Sequence, residues 1–303
     1  MLAHVNRKNQ VFEIMSHFHQ WIFLKSLLLV ITLAPVVLLA DAKPRIVTVG
    51  GAATEIVFAL GGGDDVVAVD LSSTYPAKVR DLPQVGYIRN ITPEGILSMR
   101  PDLIVATETL GPPAAKKMLK QMGAPMVWIP EPKSLAALEN GLRTIGKKLG
   151  KSAKAEEIIL EVRAKLAESA DTAKQWSNKP TAVFFLAPPS SSGGGRAGGK
   201  DTRGAELIEL AGGESVVDFS NFQVMSIESL IKTDPDVIFV GVSDGHGATP
   251  ESVEAMRQLP GLAGIKAVKN NAIYAVPLDD LSFGPRLGDA VQRWNAHLAE
   301  VAK

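Results

Sequence analysis

The 303-residue chain contains no cysteine. That excludes disulfides, thiolate metal sites, a cysteine nucleophile and a lipid-bearing cysteine anchor. Histidine is nearly as scarce: beyond residue 42 only His246 and His297 occur, with no H-x-x-x-H spacing, so a histidine-built zinc site has no basis. Charge of one sign is also missing, since 32 Lys+Arg balance 32 Asp+Glu. No basic block interleaved with aromatics appears, which argues against a nucleic-acid surface. There is no G-x-S-x-G elbow and no G-x-x-x-x-G-K-[ST] phosphate loop. No catalytic constellation is legible, and the expectation is a protein that is not an enzyme.

Long apolar runs are confined to the N-terminus. Residues Trp21 to Ala40 are almost wholly apolar, follow Arg7 and Lys8, and end in Ala40-Asp41-Ala42. A basic start, an apolar stretch and an A-x-A end predict a secretory signal peptide over 1–42, with Met1 or Met15 as the start. An uncleaved anchor is the rival reading, because about 20 apolar residues can span a bilayer. Pro35 and the A-x-A site favour cleavage. The chain that follows is expected to be soluble and exported.

What is present is a repeat. Pro93 to Ala106 (PEGILSMRPDLIVA) returns at Ile227 to Gly241 (IESLIKTDPDVIFVG). Each copy sets a Glu seven residues before a Pro-Asp pair that opens an apolar strand: Glu94 with Pro101-Asp102, Glu228 with Pro235-Asp236. Ala205 to Val217 likewise mirrors Thr54 to Val67, as a short helix, a glycine stop and a Val-Val strand. Strands are predicted at Arg45–Gly50, Val66–Val69, Leu103–Ala106, Met126–Ile129, Val237–Val240 and Ala272–Val276, alternating with helices. The fold class is therefore α/β, with two parallel-sheet β/α lobes and a cleft between them. Between the lobes, Leu135 to Trp176 has no proline, and Ile158, Ile159, Val162 and Leu166 fall at helical spacing. The expected organisation is an N-terminal lobe over 43–146, one long linking helix over 147–178 and a C-terminal lobe over 179–303. Ser190 to Gly199 (SSSGGGRAGG) is predicted to be a mobile loop.

Tyrosine is limited to Tyr75, Tyr87 and Tyr274. Tyr274 lies in a strand-like AIYAV and reads as core. Tyr75 and Tyr87 fall in the long link after Val69, and such loops are where parallel sheets expose their sites. In Gly86-Tyr87-Ile88-Arg89 an extended backbone would place phenol and guanidinium on one face. A cation beside a phenol favours the phenolate, a hard anionic donor suited to ferric iron. A packed tyrosine is the ordinary alternative.

The run Leu82 to Pro101 (LPQVGYIRNITPEGILSMRP), continued by DLIVA, resembles the haem-binding proteins of bacterial haem ABC importers. These belong to the helical-backbone class of periplasmic substrate-binding proteins, with ferric-siderophore and cobalamin binders. The opening RIVTVGGAATEIVFALG and Phe283-Gly284-Pro285-Arg286 extend the resemblance over nearly all of the chain after residue 42. It implies a periplasmic, monomeric carrier of haem b, with Tyr87 as axial iron ligand and Arg89 as its hydrogen-bonding partner. It further implies that Glu94 and Glu228 dock on the two halves of an inner-membrane permease. As helix N-terminal acids they would also complement the helix dipole. Arg286 is expected either to meet a haem propionate or to start the last helix, and His246 to face the cleft. His297 reads as a packing residue. Some relatives supply a histidine after the strand corresponding to Ala182–Leu186; the loop here, APPSSSGGGRAGG, has none, though Arg196 or a serine could reach the ligand. Iron held by Tyr87 alone is the expected coordination. The competing readings are a ferric-siderophore or cobalamin binder of the same class, or an exported receptor subunit or metal-ion binder.

Overall fold

The computed structural model describes residues 43–243 and 248–302. The signal peptide read over 1–42 and His246 lie outside the described residues.

The first lobe begins with β1 (Ile46–Val49), α1 (Gly51–Ala59) and β2 (Val66–Val69). A two-stranded hairpin follows, β3 (Gly86–Tyr87) and β4 (Asn90–Ile91), then α2 (Pro93–Ser98), β5 (Leu103–Thr107), α3 (Pro113–Gln121) and β6 (Met126–Ile129). Its sheet runs β2-β1-β5-β6, parallel throughout. β1 and β5 are buried at every position, which is why they read as apolar runs rather than alternating ones.

Two helices follow, α4 (Leu135–Lys148) on the first lobe and α5 (Ser152–Ala173), which crosses to the second. The linking helix expected over 147–178 runs from Ser152 to Ala173 and is separate from α4. Gly150, at φ 68°, ends α4, and the Lys151 N–H reaches back to the Gly146 carbonyl at 2.7 Å. That is the six-to-one bond of a Schellman stop, for which glycine is suited because it has no Cβ. α5 alone is the linker. It is braced to α4 by Arg163, whose fork meets Glu139 at 2.6 and 2.8 Å.

The second lobe contains β7 (Thr181–Ala187), β8 (Gly195–Gly198), α6 (Arg203–Leu210), β9 (Glu214–Ser215), β10 (Phe222–Met225), α7 (Ile227–Thr233), β11 (Val237–Val242), α8 (Pro250–Arg257), α9 (Lys266–Lys269), β12 (Ile273–Pro277) and α10 (Leu287–Ala299). Its sheet runs β10-β8-β7-β11-β12, with β9 also parallel to β7. β9, β7, β11 and β12 repeat the order β2, β1, β5 and β6. β8 and β10 are antiparallel additions.

The mobile loop expected over Ser190 to Gly199 is only partly a loop: Ser190 and Gly193 close a turn by exchanging backbone hydrogen bonds at 3.0 and 3.1 Å, and Gly195–Gly198 is the strand β8. Its glycines are there for contact. A Cβ on Gly194 would lie 2.3 Å from the Met225 carbonyl oxygen, and one on Gly195 2.6 Å from Pro189. No side chain fits at either place.

The repeat holds down to single backbone angles. Thr92 caps α2 and Ser226 caps α7, each accepting a backbone N–H three residues on. Glu94 and Glu228 are both the second residue of their helix. Each helix then turns through a left-handed residue, Arg100 (φ 49°) or Asp234 (φ 44°), directly before Pro-Asp. Asp102 accepts the Arg45 N–H at 2.8 Å, and Asp236 accepts the Thr181 N–H at 2.9 Å and its hydroxyl at 2.7 Å. In both lobes the Pro-Asp carboxylate ties the helix exit to the start of the neighbouring strand.

One large core runs from Ile46 and Ile56 through Ile159 on α5 to Phe184 and Trp294. Trp294 is fully buried and stacks on Phe239 with centroids 4.3 Å apart. Lys165 to Asp289 (2.6 Å) fastens α5 to α10. Among the described residues no helix is long and apolar enough to cross a membrane.

Candidate functional site

In open parallel sheets ligands bind beyond the carboxyl ends of the strands, where loops diverge. The main cavity lies there. It encloses about 1310 Å³, and its walls come from the loops after β1, β2, β5 and β6 of the first lobe and after β11 and β12 of the second. That exceeds the roughly 300–1,000 Å³ of common small-molecule pockets.

Asp70, buried at the end of β2, organises the first-lobe floor. It accepts the Gly50 N–H at 2.7 Å, the Ser72 N–H at 2.9 Å and the hydroxyls of Ser72 and Ser73 at 2.6 and 2.8 Å. Gly50 itself stands at φ 105°, with a would-be Cβ 2.9 Å from Thr107. The turn therefore accepts only glycine without displacement.

Tyr87 ends β3 and is 48% exposed on the cavity wall. The strand is pinned by Leu71 N–H to the Gly86 carbonyl and Gly111 N–H to the Ile88 carbonyl, both 2.9 Å. Ile88 is buried behind it. The phenol makes no hydrogen bond with any described residue. Arg89 also lines the cavity, but not by strand alternation. Tyr87 pairs with Asn90, so Ile88 and Arg89 form the two-residue turn of a hairpin. The extended Gly-Tyr-Ile-Arg segment is corrected accordingly: the two groups share a wall, and no hydrogen bond joins them.

Of the two readings of Arg286, the structure supports the helix start. It precedes the first residue of α10 and does not line the cavity. Its guanidinium forks onto Glu55 at 2.9 and 3.0 Å and lies 3.8 Å from the centre of the Tyr75 ring. Glu55 is only 4% exposed. Burial pushes its carboxyl above the ordinary value, with Arg286 opposing. Arg196 is a β8 strand residue facing the Phe222 ring.

Sequence patterns do not mark Glu131, Arg203, Glu251 or Asp279, all of which line the cavity. Arg203 starts α6 and donates to Glu131 of the first lobe and, at 2.7 Å, to the Leu281 carbonyl. Thr74 donates to Asp279 at 2.6 Å across the same gap. Glu251 is exposed at the second position of α8, where its own backbone N–H and Thr249 hold its carboxyl below the ordinary range. The partners that meet across the gap lie far apart in the chain, 72 residues for Arg203 and Glu131 and 205 for Thr74 and Asp279. Glu94 and Glu228 are exposed and outside the cavity. His297 stacks on Tyr274 with centroids 4.0 Å apart, away from the cleft.

Residues 46–279 match the family model described as Periplasmic binding protein. The chain belongs to this family. The apo periplasmic heme-binding protein RhuT from Roseiflexus sp. RS-1 is 32% identical, with a TM-score of 0.76 over 86% of this chain and all (100%) of that one. A periplasmic heme-binding protein from Pseudomonas aeruginosa is 30% identical, again at TM-score 0.76, covering 86% of this chain and 95% of that one. The vitamin B12-binding protein of Vibrio cholerae serotype O1 is 28% identical over 273 residues, 86% of this chain and 93% of its own. As a periplasmic binding protein, the chain is a substrate-binding protein of an ABC importer; members of this family are transport proteins, not enzymes, and work with a membrane permease.

Proposed function

We propose that this periplasmic binding protein carries haem b and hands it to an inner-membrane ABC permease. The observation that carries the reading is Tyr87: an exposed phenol without a hydrogen-bond partner among the described residues, on the wall of a large interlobe cavity. A phenolate oxygen is a hard donor suited to ferric iron, and tyrosine is an established haem ligand. Arg89 at the hairpin turn adds positive charge to the same wall. A single oxygen ligand also suits a carrier that must release its cargo. The leader over 1–42 would be removed on export, and Glu94 and Glu228, one on each lobe, would meet the permease.

Cobalamin is the second reading, favoured by the similarity to a vitamin B12-binding protein. Titration of the purified protein with hemin and, separately, with cyanocobalamin distinguishes them. Hemin is expected to bind and develop a Soret band, and Tyr87→Ala to abolish that band. An unchanged spectrum and affinity in the variant would remove Tyr87 as the ligand. Binding of cyanocobalamin alone would replace haem as the cargo.

A further inference from the structure

The second lobe offers the cavity a cation of its own. Arg203 is 32% exposed and lines the cavity wall from the start of α6. A guanidinium has five N–H donors. One goes to the Leu281 carbonyl and one to Glu131 Oε1, which leaves three.

The way Glu131 holds it is informative. An arginine and a carboxylate favour a two-bond fork that uses both oxygens. Glu131 uses one; its Oε2 is buried and takes no hydrogen bond. The guanidinium is therefore held in place from the far lobe without being saturated. Arg286 is the contrast, since Glu55 occupies it with both oxygens and Tyr75 covers its face. The neighbouring second-lobe groups on the cavity wall, Glu251 and Asp279, are carboxylates and would repel an anion.

We propose that Arg203 is the second-lobe anchor for a carboxylate of the bound ligand. The inference rests on the haem reading, in which the group is one of haem's two carboxylates. Glu131 acts through Arg203 as a positioning residue. Because their pair also bridges the lobes, a ligand seated on Arg203 is fastened to the bridge itself.

An anchor and a mere bridge between lobes predict opposite signs for the two halves of this pair. The experiment titrates wild type, Arg203→Ala, Arg203→Gln and Glu131→Gln with hemin and with hemin dimethyl ester, both in the same dilute detergent, and records a thermal melt of each. Arg203→Ala is expected to weaken hemin about 10- to 100-fold, the loss of a charge-assisted contact, and to change the diester by no more than about twofold. Arg203→Gln keeps a polar side chain should the alanine variant fold poorly, and is expected to show the same selectivity. Glu131→Gln keeps an acceptor for Arg203 while removing the competing charge, and is expected to tighten hemin. Equal losses for hemin and its diester, or a Glu131→Gln variant that weakens hemin as Arg203→Ala does, overturn the anchor and leave a bridge. A wild type that binds neither compound overturns the haem reading and the anchor with it, whereas normal hemin binding by both Arg203 variants overturns the anchor alone.

Discussion

Arg286 and Arg203 are separated in role by their partners, not by their identity. Arg286 compensates a buried carboxylate, and removing one member of a buried pair strands the other charge. Arg286→Ala is therefore expected to cost about 3–5 kcal/mol at neutral pH. The pH dependence has a definite sign. Burial already raises the Glu55 carboxyl above its ordinary value, and Arg286 is the group that opposes it. Without Arg286 the folded value rises further above the unfolded one. The folded state then takes up the Glu55 proton more readily than the unfolded state, so the variant's deficit shrinks as pH falls towards the ordinary carboxylate range. Urea midpoints of wild type and variant between about pH 8 and 5 check this, with a gap that narrows on acidification. A pH-independent gap would mean that Glu55 is not the stranded group. In the sequence, Arg286 stands after Phe-Gly-Pro with two open readings, because a partner 231 residues away leaves no local signature.

At the scale of elements, the parallel strands and their helices were legible because strands buried on both faces are apolar runs between glycine and proline stops. β8 was not, since Gly-Arg-Ala-Gly has the composition of a flexible linker and its glycines answer to neighbours such as Met225 and Pro189. The hairpin of β3 and β4 escaped for the converse reason: its turn, Ile88-Arg89, lacks the Asn-Gly or Asp-Gly signature of two-residue loops. The Pro-Asp pairs were visible as a repeat, but what the aspartate does was not. Asp236 binds the Thr181 N–H and hydroxyl and meets Lys266 at 3.4 Å. Burial would raise its carboxyl, and the Thr181 and Lys266 contacts outweigh this and lower it. Asp236→Ala is expected to destabilise the protein by about 1–3 kcal/mol, leaving the Thr181 N–H unpaired. A depressed folded value means this stability is present above the unfolded carboxylate range and is lost as pH falls through the folded value. The variant should accordingly lose less stability than wild type on acidification below about pH 4. Chemical unfolding of both proteins on either side of that pH measures it, and parallel losses would show that the tie carries no proton linkage.

At the scale of the whole molecule, the cleft and the two proposed docking acids divide the repeat between them. Each lobe places a glutamate at the second position of a capped helix, exposed and outside the cavity. The ligand side is not repeated: Tyr87 precedes Glu94 on a pinned hairpin, whereas the residues before Glu228 form β10, paired with β8. A partner with two like halves could read both lobes at once, while the cargo is held by unlike walls. At Glu228 the carboxyl is kept below the ordinary range by its own backbone N–H and Ser226, so it stays anionic at neutral pH. Among the described residues, polar bridges cross the gap between the lobes at Glu55 to Arg286, Glu131 to Arg203 and Thr74 to Asp279, and α5 is braced at Glu139 and Asp289. These ties oppose a change in the separation of the two glutamates. Charge reversal then separates docking from binding. Glu94→Lys and Glu228→Lys are each expected to slow uptake of haem by the cognate permease in proteoliposomes, and the double variant to abolish it. Hemin affinity should stay within about twofold of wild type, because exposed charges outside the cavity contribute little to the contact. Loss of affinity in step with uptake would place these residues in the binding path. Normal uptake by the double variant would remove them from the docking surface altogether.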